Sequence, residues 1–257
     1  MSINDNPIGF FDSGVGGISV LREAFKLLPK EDFVYYGDSK NAPYGVKTVE
    51  DVKKLTFNAI DFLMKKGIKA LVVACNTATS VTINDLREAY NIPVIGIEPA
   101  LKPAVELKKD GKIIIMATPM TLAEKKFANL MDLYRETEDI EPLPCPGLVE
   151  FIEQGIVSGE GVYNYLKDKF SEYDNDKIAS IVLGCTHYPF IKETLQEVTE
   201  NKAFIIDGSF GTSRELKRQL ENSNMLREER RAGKVIMFNS RDDKDIIDLS
   251  YKLFNMK

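Results

Sequence analysis

ALVVACNTATS (70–80) and SIVLGCTHYPF (180–190) decide the fold, because each runs from an apolar, strand-like stretch into a cysteine and then a hydroxyl-rich turn. Cys75 and Cys185 therefore occupy matching places, about one small domain apart along the chain. The pairing predicts two half-molecules that each place one thiol at the end of a strand. It also predicts a site with a thiol on each side.

Apolar, β-branched stretches alternate with helix-forming segments along the whole chain, which predicts an α/β protein with mainly parallel sheets. Residues 48–66 have helical spacing, Gly67 is a plausible helix stop, and Pro189 suits the first turn of a helix. The predicted strands are 8–11, 33–36, 70–74, 93–97, 112–117, 179–184, 203–207 and 234–239.

The two halves match at more than the cysteines. Three pairs of strand-end residues follow one another in the same order: Asp12 with Thr118, Cys75 with Cys185, and Glu98 with Asp207. We expect two similar three-layer α/β lobes related by pseudo-twofold duplication, with the active site in the cleft between them. The first lobe is predicted to be 1–98 plus 208–257, because 235–240 has the pattern of one more strand, and the second 99–207. Chance similarity among βα units is the alternative.

Composition excludes several classes of protein. With 257 residues, 44% of them hydrophobic, the chain can bury a sizeable core. Its apolar runs are far shorter than the roughly 18 residues of a membrane span, and the N-terminus lacks a signal-peptide pattern. We therefore expect a cytoplasmic protein that does not bind membranes and has reduced thiols. The net charge of −5 without a basic stripe argues against nucleic acid, so any anion must be held by local donors.

The residues after each cysteine are suited to chemistry. Ligands of open parallel sheets bind beyond the carboxyl ends of the strands, where helix N-termini point their amides. Asn76 and Thr77 follow the first cysteine, and Thr186 and His187 follow the second. These donors beside a helix N-terminus favour thiolate over thiol, and the alternative for either cysteine is a small apolar core residue.

Two cofactor patterns are present only in part. A zinc site is disfavoured because His187 is the one histidine and the chain has no CxxC or HxxxH pair. In IGFFDSGVGG (8–17), the glycines resemble part of a dinucleotide fingerprint, but Ser19 stands where its third glycine is required. Amides that approach a substrate carboxylate are the better interpretation of this turn. The alternative for Asp12, at its start, is a helix cap.

Three further features each have a plain structural interpretation. The segment 35–45 has turn-forming residues typical of a lid over a pocket, or of a simple surface turn. Glu150 and Glu153 lie three apart on a predicted helix, which usually indicates a solvated face. Cys145 lies between two prolines without a matching partner, and we expect it to be a packed loop residue.

The strings DSGVGG, PYG, CNTAT and GCTHYP, in this order and spacing, resemble the glutamate racemases, a branch of the aspartate/glutamate racemase family. The resemblance covers essentially the whole chain. It implies an isomerase that interconverts L- and D-glutamate without pyridoxal phosphate, metal or any other cofactor. It further implies a supply of D-glutamate for the peptidoglycan of the bacterial cell wall, hence a role in cell shape, and a homodimer.

The resemblance also implies residue roles. It places two catalytic cysteines at Cys75 and Cys185, supported by Asp12, Glu153 and His187. The thiol of the first half would act on the D-enantiomer and that of the second half on the L-enantiomer. The implied substrate-binding positions are Asp12 with Ser13, Tyr44 with Gly45, Asn76 with Thr77, and Thr186 with His187.

The chemistry agrees with these residues independently. Inversion of an amino-acid stereocentre without a cofactor needs a base on one face of the α-carbon and an acid on the other, and two matched thiols supply both. A racemase of the same family acting on aspartate, a hydantoin or a small dicarboxylate is one alternative. A two-lobed protein that only clamps an acidic amino acid is another, but it leaves the paired thiols unexplained.

Overall fold

The computed structural model describes residues 3–98, 100–123, 125–134, 136–228 and 231–256. Within them, two parallel sheets form the framework. The strands are β1 Ile8–Asp12, β2 Phe33–Gly37, β3 Ala70–Val73, β4 Val94–Gly96, β5 Lys112–Ala117, β6 Ile140–Pro144, β7 Ile178–Leu183, β8 Phe204–Asp207 and β9 Val235–Asn239.

The two sheets share one strand order. The first is β4-β3-β1-β2-β9 and the second, taken from the equivalent edge, is β8-β7-β5-β6. Every paired strand is parallel, and the middle of each sheet pairs Phe10 with Val72 and Ile115 with Val182. The predicted two-lobed α/β fold is confirmed, and we call the parts built on these sheets the first and second lobes. The boundary predicted at residue 99 lies outside the described residues, and the exact limits of the lobes stay a prediction.

Helices flank both sheets, and their bounds follow local signals. In α2, Thr48 accepts a hydrogen bond from the backbone N–H of Asp51 at the start, and Gly67 with φ +72° follows the end. The helices are α1 Ile18–Leu27, α2 Val49–Met64, α3 Asn76–Ala89, α4 Leu101–Glu106, α5 Pro119–Ala123, α6 Lys125–Asp132, α7 Leu148–Glu153, α8 Glu160–Phe170, α9 Lys192–Val198, α10 Ser209–Asn222 and α11 Lys244–Phe254. None within the described ranges is long and apolar enough to cross a membrane.

The strands β1, β3 and β7 are buried on both faces, as expected for parallel strands covered by helices. A buried polar cluster fastens the chain between α10 and β9 to the first lobe at the end remote from Cys75. Lys69 is fully buried there and donates to Glu31 Oε2 and to the carbonyls of Asn4 and Met225. Its three donors are thereby satisfied.

Three features differ from the sequence-based expectations. Strand β6 is absent from the predicted set because Pro142 and Pro144 interrupt its pattern; it lies at a sheet edge, where missing N–H donors are tolerated. The segment 35–45 is partly regular, because β2 extends to Gly37 and short 3-10 helices follow at 39–41 and 44–46. Pro189 is the second residue of a 3-10 turn (Tyr188–Ile191) that leads into α9.

Candidate active site

The carboxyl ends of β1, β3, β5 and β7 converge on one narrow cavity of about 10 Å³, the space of roughly one water molecule. Both lobes contribute to its walls. Of the predicted site residues, those that line it are Ser13, Tyr44, Gly45, Cys75, Asn76, Thr77, Cys185, Thr186 and His187. Asp12 and Glu153 lie behind this lining and contact it through hydrogen bonds. The predicted residues therefore come together at one place.

The first thiol sits at the start of α3. Cys75 is the cap residue of this helix, and its Sγ accepts a hydrogen bond from the backbone N–H of Ala78 at 3.4 Å. Its second contact is the Ser13 hydroxyl, also at 3.4 Å. Burial and the neighbouring Asp12 carboxylate outweigh these contacts and raise the pKa of Cys75 to about 12. The expected lowering of the thiol pKa is wrong for this cysteine in the closed cavity.

Asp12 ends β1 and is fully buried. Its Oδ1 accepts from the backbone N–H of Gly14 at 2.9 Å and its Oδ2 from the Thr186 hydroxyl at 2.9 Å. Burial raises its pKa against the lowering effects of His187 and these hydrogen bonds. The helix-cap alternative is wrong, because the cap of α1 is Gly17. Asp12 instead joins the glycine-rich turn to the second lobe.

The second thiol has a different partner. Cys185 Sγ lies 3.7 Å from His187 Nδ1, and His187 Nε2 lies 2.6 Å from Glu153 Oε1. Burial alone would lower the pKa of His187, but its contacts with Cys185 and Glu153 raise that pKa well above the usual value. Burial likewise opposes the charge of Glu153, whereas the hydrogen bond from His187 helps to lower the pKa of this carboxyl. The pair is thus an imidazolium facing a carboxylate.

The two glutamates of α7 have unlike environments. Glu150 is exposed, as a solvated face predicts, but the Glu153 side chain is only 12% exposed and also accepts from the backbone N–H of Val15 at 2.6 Å. The solvated-face interpretation is therefore wrong for Glu153. The family resemblance, rather than the helical spacing, pointed to it.

The second lobe approaches the turn after β1 so closely that only glycine fits at two of its positions. A Cβ at Gly14 would lie 1.9 Å from Glu153 Oε1, and one at Gly16 would lie 2.3 Å from His187 Nδ1. These distances are shorter than any ordinary van der Waals contact. The turn after β1 therefore has glycine at these two positions so that the histidine and glutamate of the other lobe can pack against it.

The loop after β2 closes one side of the cavity. Tyr44 is buried, and its hydroxyl donates to Asp38 Oδ2 at 2.6 Å, which fixes the loop on which it lies. Burial, followed by the Asp38 charge, raises the pKa of Tyr44, so its hydroxyl stays protonated. A Cβ at Gly45 would lie 2.6 Å from the Thr118 Cβ, so this loop touches the second lobe.

Polar groups of α3 and α5 complete the wall. The Asn76 Oδ1 atom is buried with no hydrogen-bond partner within the described part of the chain, which leaves an acceptor facing the site. Thr77, Thr118 and Thr121 bring their hydroxyls within 3.2 Å of one another. The sequence identified Thr118 only as a strand end and missed Thr121. Its signal in the sequence is a second threonine three positions after Thr118, in ATPMT (117–121).

No group of three or more His, Cys, Asp or Glu side chains is arranged to hold a metal ion in the described ranges. Cys145 is buried just after β6, and its thiol donates to the Leu143 carbonyl at 3.4 Å. Burial raises its pKa to about 12. Its predicted role as a packed loop residue agrees with this position.

Comparisons with known proteins point to one family. The sequence model of the Asp/Glu/hydantoin racemases matches residues 16–209. The chain is 87% identical over its full length to the full-length glutamate racemase of Clostridium botulinum strain Langeland. Among solved structures, it is similar to the Escherichia coli glutamate racemase in complex with L-glutamate and the activator UDP-MurNAc-Ala (TM-score 0.86, 27% identity, 96% of this chain and 95% of that chain). It is also similar to the Francisella tularensis glutamate racemase in complex with D-glutamate (TM-score 0.83, 28% identity, 99% and 95%).

Proposed function

This chain belongs to the Asp/Glu/hydantoin racemase family, and we propose that it interconverts L- and D-glutamate by a two-base mechanism that uses no cofactor. The observation that carries the proposal is the placement of Cys75 and Cys185 at equivalent strand ends of the two sheets, facing one cavity. Deprotonation on one face and reprotonation on the other need this arrangement.

In the L-to-D direction, the sulfur of Cys185 takes the α-proton as a thiolate, and the electron pair of the C–H bond passes to the α-carbon and its carboxylate. The thiol of Cys75 then delivers a proton to the opposite face. Because burial keeps the Cys75 thiol neutral, it holds the proton that this step delivers to the α-carbon. The imidazolium of His187 lies beside the Cys185 sulfur and stabilises negative charge there.

In the D-to-L direction the roles reverse, and Cys75 must lose its proton. With a pKa of about 12, that ionisation costs roughly 7 kcal/mol at neutral pH in the closed, empty cavity. Since Asp12 contributes to this cost, we propose that the substrate ammonium group offsets the Asp12 charge and makes the thiolate accessible. The Ala78 amide already donates to this sulfur, and the Ser13 hydroxyl, which accepts from the neutral thiol, can donate to the thiolate.

The remaining barrier is the weak acidity of the substrate α-carbon, which donors aimed at the developing charge must lower. We assign this role to the backbone amides near Ser13, Asn76, Thr77 and Thr186, because the hydroxyls of Thr77 and Thr186 already have partners in the closed site. Tyr44, Gly45 and His187 complete the proposed binding set. Asp12 supports the Cys75 side, and Glu153 supports the Cys185 side through His187.

The biological setting is proposed on the same basis. A cytoplasmic glutamate racemase supplies D-glutamate for peptidoglycan, and hence for cell-wall synthesis and cell shape. We further propose a homodimer, and a first lobe of 1–98 with 208–257 joined to a second lobe of 99–207.

The direct test follows the circular dichroism of L-glutamate over time with purified, reduced protein, a chelator and no pyridoxal phosphate. We expect the signal to decay to zero, and D-glutamate to give the mirror-image decay. A flat trace with glutamate but decay with aspartate would reassign the substrate. Flat traces with both, accompanied by saturable glutamate binding, would instead favour a binding protein.

A further inference from the structure

The cavity between the thiols holds about 10 Å³, whereas a bound amino acid needs many times the space of one water molecule. The lobes must therefore separate on at least one side before a substrate can reach Cys75 and Cys185. The contacts that join the lobes on each side of the cavity differ in chemistry. That difference indicates which side opens.

On one side, the glycine-rich turn and the start of α1 are joined to the second lobe through buried carboxylates. Val15 N–H donates to Glu153 at 2.6 Å, and the Thr186 hydroxyl donates to Asp12 at 2.9 Å. The Ser19 hydroxyl adds a contact with the Thr186 carbonyl at 2.9 Å. Hydrogen bonds to ionised groups are the stronger class, and leaving a buried carboxylate without its donor is costly.

On the other side, the lobes meet at three neutral hydroxyls, which we call the threonine clasp: Thr77 of α3, Thr118 after β5, and Thr121 of α5. Thr77 Oγ1 lies 3.2 Å from Thr118 Oγ1 and 3.1 Å from Thr121 Oγ1, and the last two lie 3.0 Å apart. All three residues are at most 7% exposed. Each hydroxyl can donate once and accept once, so the ring satisfies itself without water.

The clasp also joins one short segment of the second lobe to the first lobe. It holds α5 (Pro119–Ala123) against the first lobe, where Met120 packs on the apolar cluster that contains Phe11 and Tyr44. Gly45 lies against Thr118 at the same seam. No ionised group takes part in the hydrogen bonds of the clasp. When the seam opens, these hydroxyls can replace their hydrogen bonds to one another with hydrogen bonds to water. Opening this side therefore costs less free energy than opening the carboxylate side.

We propose that the threonine clasp is the latch of the closed site, and that substrate reaches the thiols where α5 and the loop carrying Tyr44 and Gly45 part from each other. Thr121 is then a positioning residue that acts through Thr77 and Thr118. The proposal deepens the proposed function and rests on it for the identity of the substrate. Opening itself is a property of the free protein and is tested without substrate.

The test measures alkylation of Cys75 and Cys185 by iodoacetamide in the free protein, with peptide mapping of each thiol. Thr121→Val removes the hydroxyl at nearly constant volume, and we expect both thiols to react roughly ten-fold faster, because two neutral hydrogen bonds of the closed state are lost. Thr121→Ser keeps the hydroxyl and should restore the wild-type rate. Thr56→Val is the matched control, since this fully buried hydroxyl in α2 has no partner within the described ranges.

Three results would overturn the latch. They are an unchanged rate in Thr121→Val, an equal gain in Thr56→Val or Thr121→Ser, and a ratio of variant to wild-type rates that changes between pH 7 and pH 9. The last would indicate an altered thiol pKa rather than altered opening. If Thr121→Val does not fold, hydrogen exchange of the wild-type protein decides, with faster exchange expected at the Thr121 N–H than at Val15 N–H. Equal or reversed protection would reject the proposal, whether or not the protein racemises glutamate.

Discussion

The two halves of the site place a cysteine at equivalent positions of two matching sheets but give it opposite electrostatic support. Cys75 has a hydroxyl, a helix amide and the buried carboxylate of Asp12, and its pKa rises to about 12. Cys185 has the imidazolium of His187, which Glu153 keeps charged. Equivalent backbone positions therefore do not give the two sulfurs the same electrostatic surroundings. The difference makes the resting first half a proton donor and surrounds the second sulfur with positive charge.

The comparison also shows that each half is completed by the other. Glu153 of the second lobe packs on the glycine-rich turn of the first, and Thr186 donates to Asp12 across the cleft. The electrostatic environment of both thiols thus depends on closure of the lobes. Water admitted on opening would reduce the effect of burial on every pKa of the site.

The largest expected effect comes from removing either thiol. Cys75→Ala and Cys185→Ala should each reduce racemisation by about 10³-fold or more, because one face of the α-carbon then lacks its proton carrier. The remaining thiol should still exchange the α-proton of one enantiomer in D₂O: L-glutamate in Cys75→Ala and D-glutamate in Cys185→Ala. NMR of recovered glutamate measures this exchange. Exchange of both enantiomers by one variant would break the assignment of one thiol to each face.

The next effect tests whether the second half depends on the first-lobe turn. Gly16→Ala places a Cβ only 2.3 Å from His187 Nδ1, so the imidazole must shift away from its place beside the Cys185 sulfur. We expect kcat to fall by roughly 10²-fold, the lower range for a lost acid–base contribution. Gly211→Ala is the control, because a Cβ there meets nothing within 4 Å and α10 should tolerate it. Steady-state rates and melting temperatures of both variants measure the effect. Equal values for Gly16→Ala and Gly211→Ala would contradict the steric argument.

Glu153→Gln should have a smaller effect that is specific to the second half. Contacts with Cys185 and Glu153 both raise the pKa of His187 against burial, so losing the carboxylate should lower that pKa. Since the protein has a single histidine, one imidazole resonance reports this titration by NMR after removal of any tag. The wild-type imidazole should stay protonated above pH 6.5, and Glu150→Gln should leave it so.

Kinetics of Glu153→Gln sharpen the comparison further. The two enantiomers have equal free energy, so kcat/KM must stay equal in the two directions in every variant. The asymmetry instead appears in the isotope effect: removal of the α-proton by Cys185 becomes slower and more rate-limiting. We expect a larger deuterium effect with α-deuterated L-glutamate than with the D-enantiomer. Equal effects would show that His187 and Glu153 support both thiols alike.

Sequence patterns predicted what depends on local order. The strand ends that carry Asp12, Cys75 and Cys185 were placed by apolar runs, and the shared strand order of the sheets agrees with the matched pairs. Strand β6 was not predicted, because Pro142 and Pro144 are tolerated only at a sheet edge, and the position of a strand in its sheet is a tertiary property. No periodicity could have revealed it.

The electrostatics of the site could not be predicted from neighbours in the chain. Asn76 and Thr77 suggested an acidic thiol at Cys75, but burial and Asp12, distant in sequence, decide its pKa. Glu150 and Glu153 are equivalent in helical pattern, and only the packing of α7 against the other lobe separates them. The family resemblance supplied Glu153, while Thr121 emerged only from the geometry of the lobes.

The smallest effect concerns the first half, where Asp12→Asn removes the charge that helps to raise the pKa of Cys75. The pKa of Cys75 should then fall below about 12 while staying above that of an exposed thiol, because burial remains the larger cause. Measured by mapped alkylation against pH, the wild-type rate should keep rising up to pH 11, and the variant should level off earlier. Cys145, equally buried but remote from Asp12, is the internal control and should not change. An earlier plateau at Cys145 as well would indicate general loosening. An unchanged Cys75 profile would mean that burial alone keeps this thiol neutral and that the two halves differ only through His187.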